Sequence, residues 1–134
     1  MHIDGGCHCG RVTYEAQIDP AEISLCHCTD CQELTGTAYR VSAIISKADF
    51  RLTGEEPTLY VKTADNGRKR FQYFCPTGGS PIYTCGEGED AEIYAVRVGT
   101  IRQRRHLEPT SQIWCSSALP WINRVGSLPS RSKD

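Results

Sequence analysis

The chain carries Leu25-Cys26-His27-Cys28-Thr29-Asp30-Cys31-Gln32, in which three cysteines fall within six residues. Ordinary core packing does not require three thiols so close together, whereas a tight turn can direct all three toward one soft cation. Zinc is the usual ion for such a set, because it accepts thiolate sulfur and tetrahedral geometry. Three ligands also leave a fourth position open, and an open position distinguishes a catalytic zinc from a structural one. We therefore interpret the rest of the chain as a scaffold for Cys26, Cys28 and Cys31.

The composition indicates a globular protein. The chain has 134 residues, of which 39% are hydrophobic and 23% are charged, so it is large enough for a core of its own. We predict a single domain over residues 1–134, with a frayed tail at residues 126–134. The net charge is -1, and nucleic-acid-binding domains usually carry a basic surface, so we expect no nucleic-acid partner.

The cysteine content indicates a reducing compartment. The first residues show neither the basic region nor the apolar run of a signal peptide, and no apolar stretch approaches the roughly 18 residues of a membrane span. We therefore expect a cytoplasmic protein without a membrane partner. There, the eight cysteines indicate metal or redox chemistry more readily than disulfides. The sequence does not predict the oligomeric state.

The hydrophobic pattern predicts a mainly β domain of short, mostly antiparallel strands built around cysteine-bearing loops. Val12, Tyr14, Ala16 and Ile18 alternate with polar residues, as in a half-buried strand. One short helix is predicted after the cysteine-rich stretch, at residues 29–34, with Thr29 as its N-cap. The strands are predicted at residues 11–18, 23–25, 38–46, 50–52, 58–62, 69–75, 82–85, 91–98 and 112–115.

A second candidate metal site combines Cys7 and Cys9 with Cys75. The first two lie in a C-x-C stretch flanked by glycines, which let the backbone bend tightly around an ion. Cys75 begins a turn that looks like half of a zinc knuckle, but Gly78 stands where the second sulfur should be. The fourth ligand could be water, a nearby side chain or nothing.

The remaining cysteines and the histidines carry weaker signals. Cys85 and Cys115 lie within strand patterns, where a free thiol is usually a small buried apolar group. His8 and His27 each stand between two cysteines, and we expect both side chains to point away from any ion bound by their neighbours.

Three motifs in this order resemble those of the glutathione-dependent formaldehyde-activating (CENP-V/GFA-type) zinc proteins. They are Gly6-Cys7-His8-Cys9-Gly10-Arg11-Val12, Cys26-His27-Cys28-Thr29-Asp30-Cys31 followed by Gly36, and Phe74-Cys75-Pro76-Thr77-Gly78-Gly79-Ser80-Pro81. The Trp114 strand and the Leu119-Pro120-Trp121 segment also resemble the C-terminal part of that family.

The resemblance implies a β-rich fold with two zinc ions. A structural zinc would bind at Cys7, Cys9, Cys75 and residue 78, and a functional zinc at Cys26, Cys28 and Cys31. The named activity of the family combines formaldehyde with glutathione to give S-(hydroxymethyl)glutathione, formally a carbon–sulfur lyase reaction run in reverse. Gly78 departs from the family pattern, which has cysteine at this position.

Three functional hypotheses remain at this point. The first is a zinc-dependent enzyme that joins a thiol, glutathione or similar, to formaldehyde or a related small aldehyde. In that case Arg40 or Lys62 could bind a carboxylate of glutathione. The second is a non-catalytic zinc module that binds a protein or a thiol, and the third is a thiol redox or metal-buffering protein.

Overall fold

A computed structural model describes residues 1–134. It contains ten strands and one α-helix, connected by turns and short 3-10 segments, so the predicted mainly β fold is confirmed. The elements are β1 (His2–Gly6), β2 (Thr13–Gln17), β3 (Ile23–Cys26), α1 (Thr29–Thr35), β4 (Arg40–Ser46), β5 (Phe50–Leu52), β6 (Thr58–Thr63), β7 (Lys69–Phe74), β8 (Pro81–Gly86), β9 (Ile93–Arg97) and β10 (Ser111–Ile113). None of the helices has the length and apolar character needed to cross a membrane.

The strands form two sheets. The smaller has three strands in the order β1-β2-β5, and the larger has seven in the order β10-β3-β4-β9-β8-β7-β6. All pairs are antiparallel except β10 with β3, which run parallel. Consecutive strands joined by short turns favour this arrangement, because a parallel pair requires a long connection.

The hydrophobic core lies between the two sheets. Side chains from both sheets form one buried cluster, including Ile3 and Tyr14 from the small sheet and Ile23 and Val96 from the large sheet. Phe50 of the small sheet joins them, with its ring 5.1 Å from that of Tyr14 and 5.0 Å from that of Tyr83 on β8. The apolar residues of β2, which alternate with polar ones, face inward because they pack among these rings.

The opposite face of the large sheet is polar, and this face carries the site. In the strand register, Cys26 pairs with Arg40, and Ser42 pairs with Arg97. Because side chains two residues apart share one face of a strand, Arg40 and Ser42 both project toward this side. The large sheet therefore separates an apolar core from a face lined by cysteine, arginine and hydroxyl groups.

The structure differs from the sequence prediction in three places. β1 was not predicted, because its single apolar residue, Ile3, stands among polar residues and glycines and gives no alternation. The N-cap of α1 is Cys28 and not Thr29, since the Cys28 sulfur accepts the backbone N–H of Cys31. The last strand ends at Ile113, so Cys115 lies in a 3-10 turn and is exposed, which makes the prediction of a buried thiol wrong.

Candidate metal centres

The fold brings Cys26, Cys28 and Cys31 together at the junction of β3 and α1. We call these three residues the Cys26 cluster. β3 ends at Cys26, and α1 starts one residue after Cys28 and holds Cys31 in its first turn. The cap hydrogen bond from the Cys31 backbone to the Cys28 sulfur is 3.2 Å long. At its other end, α1 stops at Gly36 with φ 67°, a left-handed conformation that glycine adopts without strain.

The spacing of the three sulfurs fits a tetrahedral ion. All three lie within 4.8 Å of one another, and no other cysteine, histidine or carboxylate ligand atom belongs to the set. Ligands at a zinc–sulfur distance of about 2.3 Å in tetrahedral geometry are roughly 3.8 Å apart, which this set can reach with small side-chain adjustments. The donor set is therefore suitable for zinc and leaves one coordination position without a protein ligand.

The thiols of the cluster ionise unequally. Burial opposes ionisation of Cys28, but hydrogen bonds from the side chain and backbone of Cys31 lower the pKa of Cys28, and the charge of Lys62 acts in the same direction. Burial raises the pKa of Cys31 to about 12, although Arg40 opposes this shift. A bound cation is therefore needed to bring Cys31 to the thiolate form near neutral pH.

A cleft of about 230 Å³ adjoins the cluster on the polar face of the large sheet. Its lining includes all three cysteines together with Arg40, Arg70 and Arg97, and no acidic side chain contributes to it. None of these three arginines forms an ion pair. The cleft is consequently a positively charged recess beside a set of sulfur ligands.

Arg97 forms the floor of this cleft and is 5% exposed. Its guanidinium donates hydrogen bonds to the hydroxyl of Ser42 and to that of Thr84, the latter at 2.8 Å, while its Nε has no partner. Burial lowers the pKa of Arg97, and the neighbouring charge of Arg40 adds to this effect. Arginine nevertheless keeps its proton in proteins, so Arg97 is a buried cation without a counter-ion from a side-chain carboxylate.

The two basic residues predicted to bind a substrate carboxylate have different surroundings. Arg40 lines the cleft and donates to the side-chain oxygen of Gln72 at 3.1 Å. Lys62 instead pairs with Asp30 of α1, with 2.6 Å between its Nζ and the carboxylate. Lys62 thus ties the outer strand β6 to α1, and its charge is already matched.

Cys7, Cys9 and Cys75 form a second set, here called the Cys7 cluster. Their sulfurs also lie within 4.8 Å of one another, although 66 residues separate Cys9 from Cys75. The turn after β1 supplies the first two sulfurs, and the turn after β7 supplies the third. Gly10 and Gly79 close these turns with φ values of 82° and 80°. Of the glycines that flank Cys7 and Cys9, only Gly10 therefore uses the left-handed conformation.

Gly78 lies directly against this cluster. A Cβ atom at position 78 would come 2.5 Å from the Cys7 sulfur and 3.1 Å from the Cys9 sulfur. A side chain at position 78 would therefore point toward the three sulfurs, as the knuckle pattern implies. In this chain, the sulfurs lie so close to Gly78 that they leave no room for such a side chain. The hydroxyl oxygen of Ser80 lies 3.2 Å from the Cys7 sulfur.

Within the Cys7 cluster, the surroundings favour a thiolate at Cys7 and oppose one at Cys9. A backbone hydrogen bond from Arg11 favours the Cys9 thiolate, but burial and the neighbouring sulfurs of Cys75 and Cys7 outweigh it and raise the pKa of Cys9. Burial opposes ionisation of Cys7, but hydrogen bonding with the Ser80 hydroxyl, with the backbone of Cys9 and with the backbone of Ser80 outweighs it and lowers the pKa of Cys7 to about 6. Cys7 can thus be negatively charged near neutral pH, which is the form that binds a metal.

The other candidate residues lie outside both clusters. Cys85 is buried on β8, and burial raises the pKa of its thiol. His8 is exposed, whereas His27 is buried, with its Nε2 2.9 Å from the side-chain oxygen of Gln112 and its Nδ1 unpartnered. Neither histidine contributes a nitrogen to a sulfur set.

The sequence reasoning did not identify Arg97, Ser42 and Thr84 as site residues. The available signal was Arg97, a charged residue that directly follows the apolar stretch Ile93-Tyr94-Ala95-Val96. In a strand, its side chain lies on the same face as that of Ala95. That signal shows which face Arg97 occupies only when the neighbouring strands are known. Strand pairing, which brings Ser42 beside Arg97, was not predictable from one sequence.

The comparisons with known proteins agree with the geometry. The family model described as glutathione-dependent formaldehyde-activating enzyme matches residues 2–117. A crystal structure of a Rhodobacter sphaeroides protein, a structural genomics target, is 25% identical with a TM-score of 0.63, covering 81% of this chain and 98% of its own. No curated protein matches the chain. Since the family model spans most of its length, the chain belongs to the glutathione-dependent formaldehyde-activating enzyme family.

Proposed function

We propose that this protein is a zinc-dependent enzyme that joins a thiol, glutathione or a similar compound, to formaldehyde or another small aldehyde at the Cys26 cluster. The reaction is that of a carbon–sulfur lyase run in the synthetic direction. The observation that carries the proposal is a set of three sulfurs, with no fourth protein ligand, that opens into a cleft. Membership of the family supports the choice of thiol and aldehyde.

The chemistry requires a thiol to react as its thiolate. Cys26, Cys28 and Cys31 would hold the zinc ion, which would supply the positive charge that lowers the pKa of a substrate thiol beside them. The thiol gives up its proton, its sulfur attacks the carbonyl carbon of the aldehyde, the carbon–oxygen π bond opens, and the oxygen takes up one proton in place of the one that the thiol released. The product carries a new carbon–sulfur bond and a hydroxyl group, so no oxidant or reductant is consumed.

The side chains around the cluster contribute binding and orientation. Cys28 and Cys31 are fixed by α1 and Cys26 by β3, so the three sulfurs face one point without a large rearrangement. Arg40 and Arg70 border the cleft, where they can hold an anionic part of the thiol close to the cluster. Such positioning converts a bimolecular encounter into a local one, which is a major source of rate enhancement.

We also propose that the Cys7 cluster holds a structural zinc with three cysteine ligands. It joins two turns that are distant in sequence, and its sulfurs are as close together as those of the Cys26 cluster.

All eight cysteines are free, which supports a cytoplasmic location where thiols stay reduced.

The decisive variant for the catalytic proposal is Cys28→Ser. We expect the zinc-loaded wild type to accelerate formation of S-(hydroxymethyl)glutathione above the spontaneous rate, as measured by exchange NMR at equilibrium. Cys28→Ser should lose about tenfold or more of that acceleration, because one thiolate ligand is removed. The matched control is Cys115→Ser, which changes an exposed thiol outside both clusters and should retain the wild-type rate.

Two outcomes of this assay would contradict the proposal that the protein is an enzyme acting at the Cys26 cluster. Equal rates for Cys28→Ser and the wild type would show that the Cys26 cluster is not the reaction centre. A zinc-loaded wild type that leaves the spontaneous rate unchanged would instead favour the non-catalytic module. Purification without any zinc, together with reversible disulfide formation under mild oxidant, would favour the redox hypothesis.

A further inference from the structure

The cleft beside the Cys26 cluster contains a positive charge that the protein itself does not neutralise. Three arginines line it, and none of them forms an ion pair with a carboxylate. A zinc ion with three thiolates would contribute a charge of about -1, so the cleft would retain a net charge of about +2. The negative charge of the sulfur ligands is therefore too small to balance the charge of the three arginines.

Arg97 is the strongest indication that a ligand completes this cleft. It is 5% exposed, and an unpaired charge at that depth is costly unless hydrogen bonds or an opposite charge compensate for it. Of its five N–H groups, two donate to the hydroxyls of Ser42 and Thr84, and the Nε group has no acceptor. Hydroxyls are neutral, so they do not supply the missing negative charge.

The register of the sheet places further donors around Arg97. Ser42 lies directly opposite Arg97 on β4, and Arg40 lies two residues earlier on the same strand. Arg70 approaches from β7, beyond Thr84 on β8. Arg40 and Arg70 are half-buried, so their guanidinium groups can reach a ligand that enters from solvent. A planar carboxylate suits guanidinium groups, because each can donate two parallel hydrogen bonds.

The size of the cleft restricts what can enter. Its volume of about 230 Å³ is below the roughly 300 to 1,000 Å³ that is usual for drug-sized ligands. It can therefore hold a compact anionic group next to the sulfurs but not a whole peptide.

We infer that this cleft is a carboxylate subsite, and that the thiol used by the enzyme carries a carboxylate which binds Arg40 and Arg70 above the buried charge of Arg97. The substrate class is thus a small mercaptocarboxylate, or a larger thiol that presents one carboxylate near its sulfur. The inference rests on the proposed function, because the thiol is taken to bind at the Cys26 cluster. Arg97 is a positioning residue, since it acts through the charge of the cleft and its hydroxyl partners.

The test compares two thiols of similar length, 3-mercaptopropionate and 2-mercaptoethanol, which differ in the carboxylate. We expect the zinc-loaded wild type to bind 3-mercaptopropionate about tenfold more tightly or better in calorimetry, as charge-assisted hydrogen bonds predict. Arg97→Gln should lose most of this preference. The control Arg105→Gln, which removes an exposed arginine that does not line the cleft, should keep it.

Acetate competition tests the subsite without any variant, so the outcome does not depend on whether Arg97→Gln folds. Acetate should weaken the binding of 3-mercaptopropionate and leave that of 2-mercaptoethanol unchanged. Equal affinities of the two thiols for the wild type would overturn the inference, and so would acetate that affects both thiols alike. Arg40→Gln and Arg70→Gln should each reduce the preference about threefold.

The reaction assay separates this inference from the proposed function. If neither thiol combines with formaldehyde faster than the spontaneous rate while the carboxylate preference persists, the proposed reaction fails and the subsite stands. If both thiols react at the same kcat/KM and bind equally, the subsite fails and the proposed reaction stands.

Discussion

Gly78 points into the Cys7 cluster from the position where a fourth cysteine would complete a zinc knuckle. A Cβ atom there would lie 2.5 Å from the Cys7 sulfur, closer than any normal contact. The φ angle of Gly78 is not in the left-handed region, so the backbone itself accepts another residue. What opposes a side chain at position 78 is thus the lack of space within the cluster and not backbone strain.

Gly78→Cys should therefore have opposite effects with and without metal. In the metal-free protein the added side chain must push the Cys7 sulfur aside, which should lower the free energy of unfolding by about 1 to 3 kcal/mol. With zinc the fourth thiolate should slow metal release, measured as transfer to a chromophoric chelator. Gly126→Cys, which meets no atom within 4 Å, is the control for adding a thiol. Unchanged zinc release in Gly78→Cys would mean that position 78 is not the fourth ligand position.

At the scale of elements, α1 is a short helix that positions two of the three sulfurs of the Cys26 cluster. It spans Thr29–Thr35, with Cys28 as its N-cap and Gly36 as its left-handed C-cap. A helix this short has little stability of its own, so its caps matter more than its composition. The side chain of Gln32 adds a further anchor, since it donates to the carbonyls of His27 and Ser117.

Gly36→Ala should destabilise the protein through this C-cap. A residue with a Cβ at φ 67° is strained by about 1 to 2 kcal/mol, so the melting temperature should fall by several degrees. Gly126→Ala, at a glycine without positive φ, should leave the melting temperature within about a degree of the wild type. If both variants melted alike, the C-cap would not be needed to hold α1 in place.

At the scale of the whole molecule, the Cys7 cluster connects the two sheets. Cys7 and Cys9 follow β1 of the small sheet, and Cys75 follows β7 of the large one. An ion bound here would close a loop of 66 residues and restrain both turns.

Removal of metal with a chelator should therefore loosen these turns first. We expect faster amide hydrogen exchange at residues 7–11 and 75–80, with the central strands β4 and β9 still protected. Addition of zinc should restore the slow exchange, and an equal dose of chelator already saturated with zinc serves as the control. Exchange that rises evenly over the whole chain would show that the metal stabilises the fold globally and not at this connection.

The fold was predictable in outline because its signals are local. The alternation of Val12, Tyr14 and Ala16 and the cysteine spacing each lie within a few residues. The pairing of strands depends on contacts between distant residues, so the parallel placement of β10 and the meeting of Arg97 with Ser42 were not predictable. The prediction that Cys115 lies in a strand was wrong because Trp114, at φ 56°, ends the extended backbone just before it.

The most direct test of the account is NMR of the protein loaded with the NMR-active isotope of cadmium, because each site gives its own signal and the chemical shift rises with the number of sulfur ligands. Variants Cys28→Ser and Cys9→Ser assign the two signals to the Cys26 and Cys7 clusters. We predict that glutathione, at concentrations that leave the bound cadmium unchanged, moves the Cys26-cluster signal in the direction of a fourth sulfur. A signal from that cluster that stays fixed, or a shift confined to the Cys7 cluster, would contradict the proposal that the Cys26 cluster binds the substrate thiol.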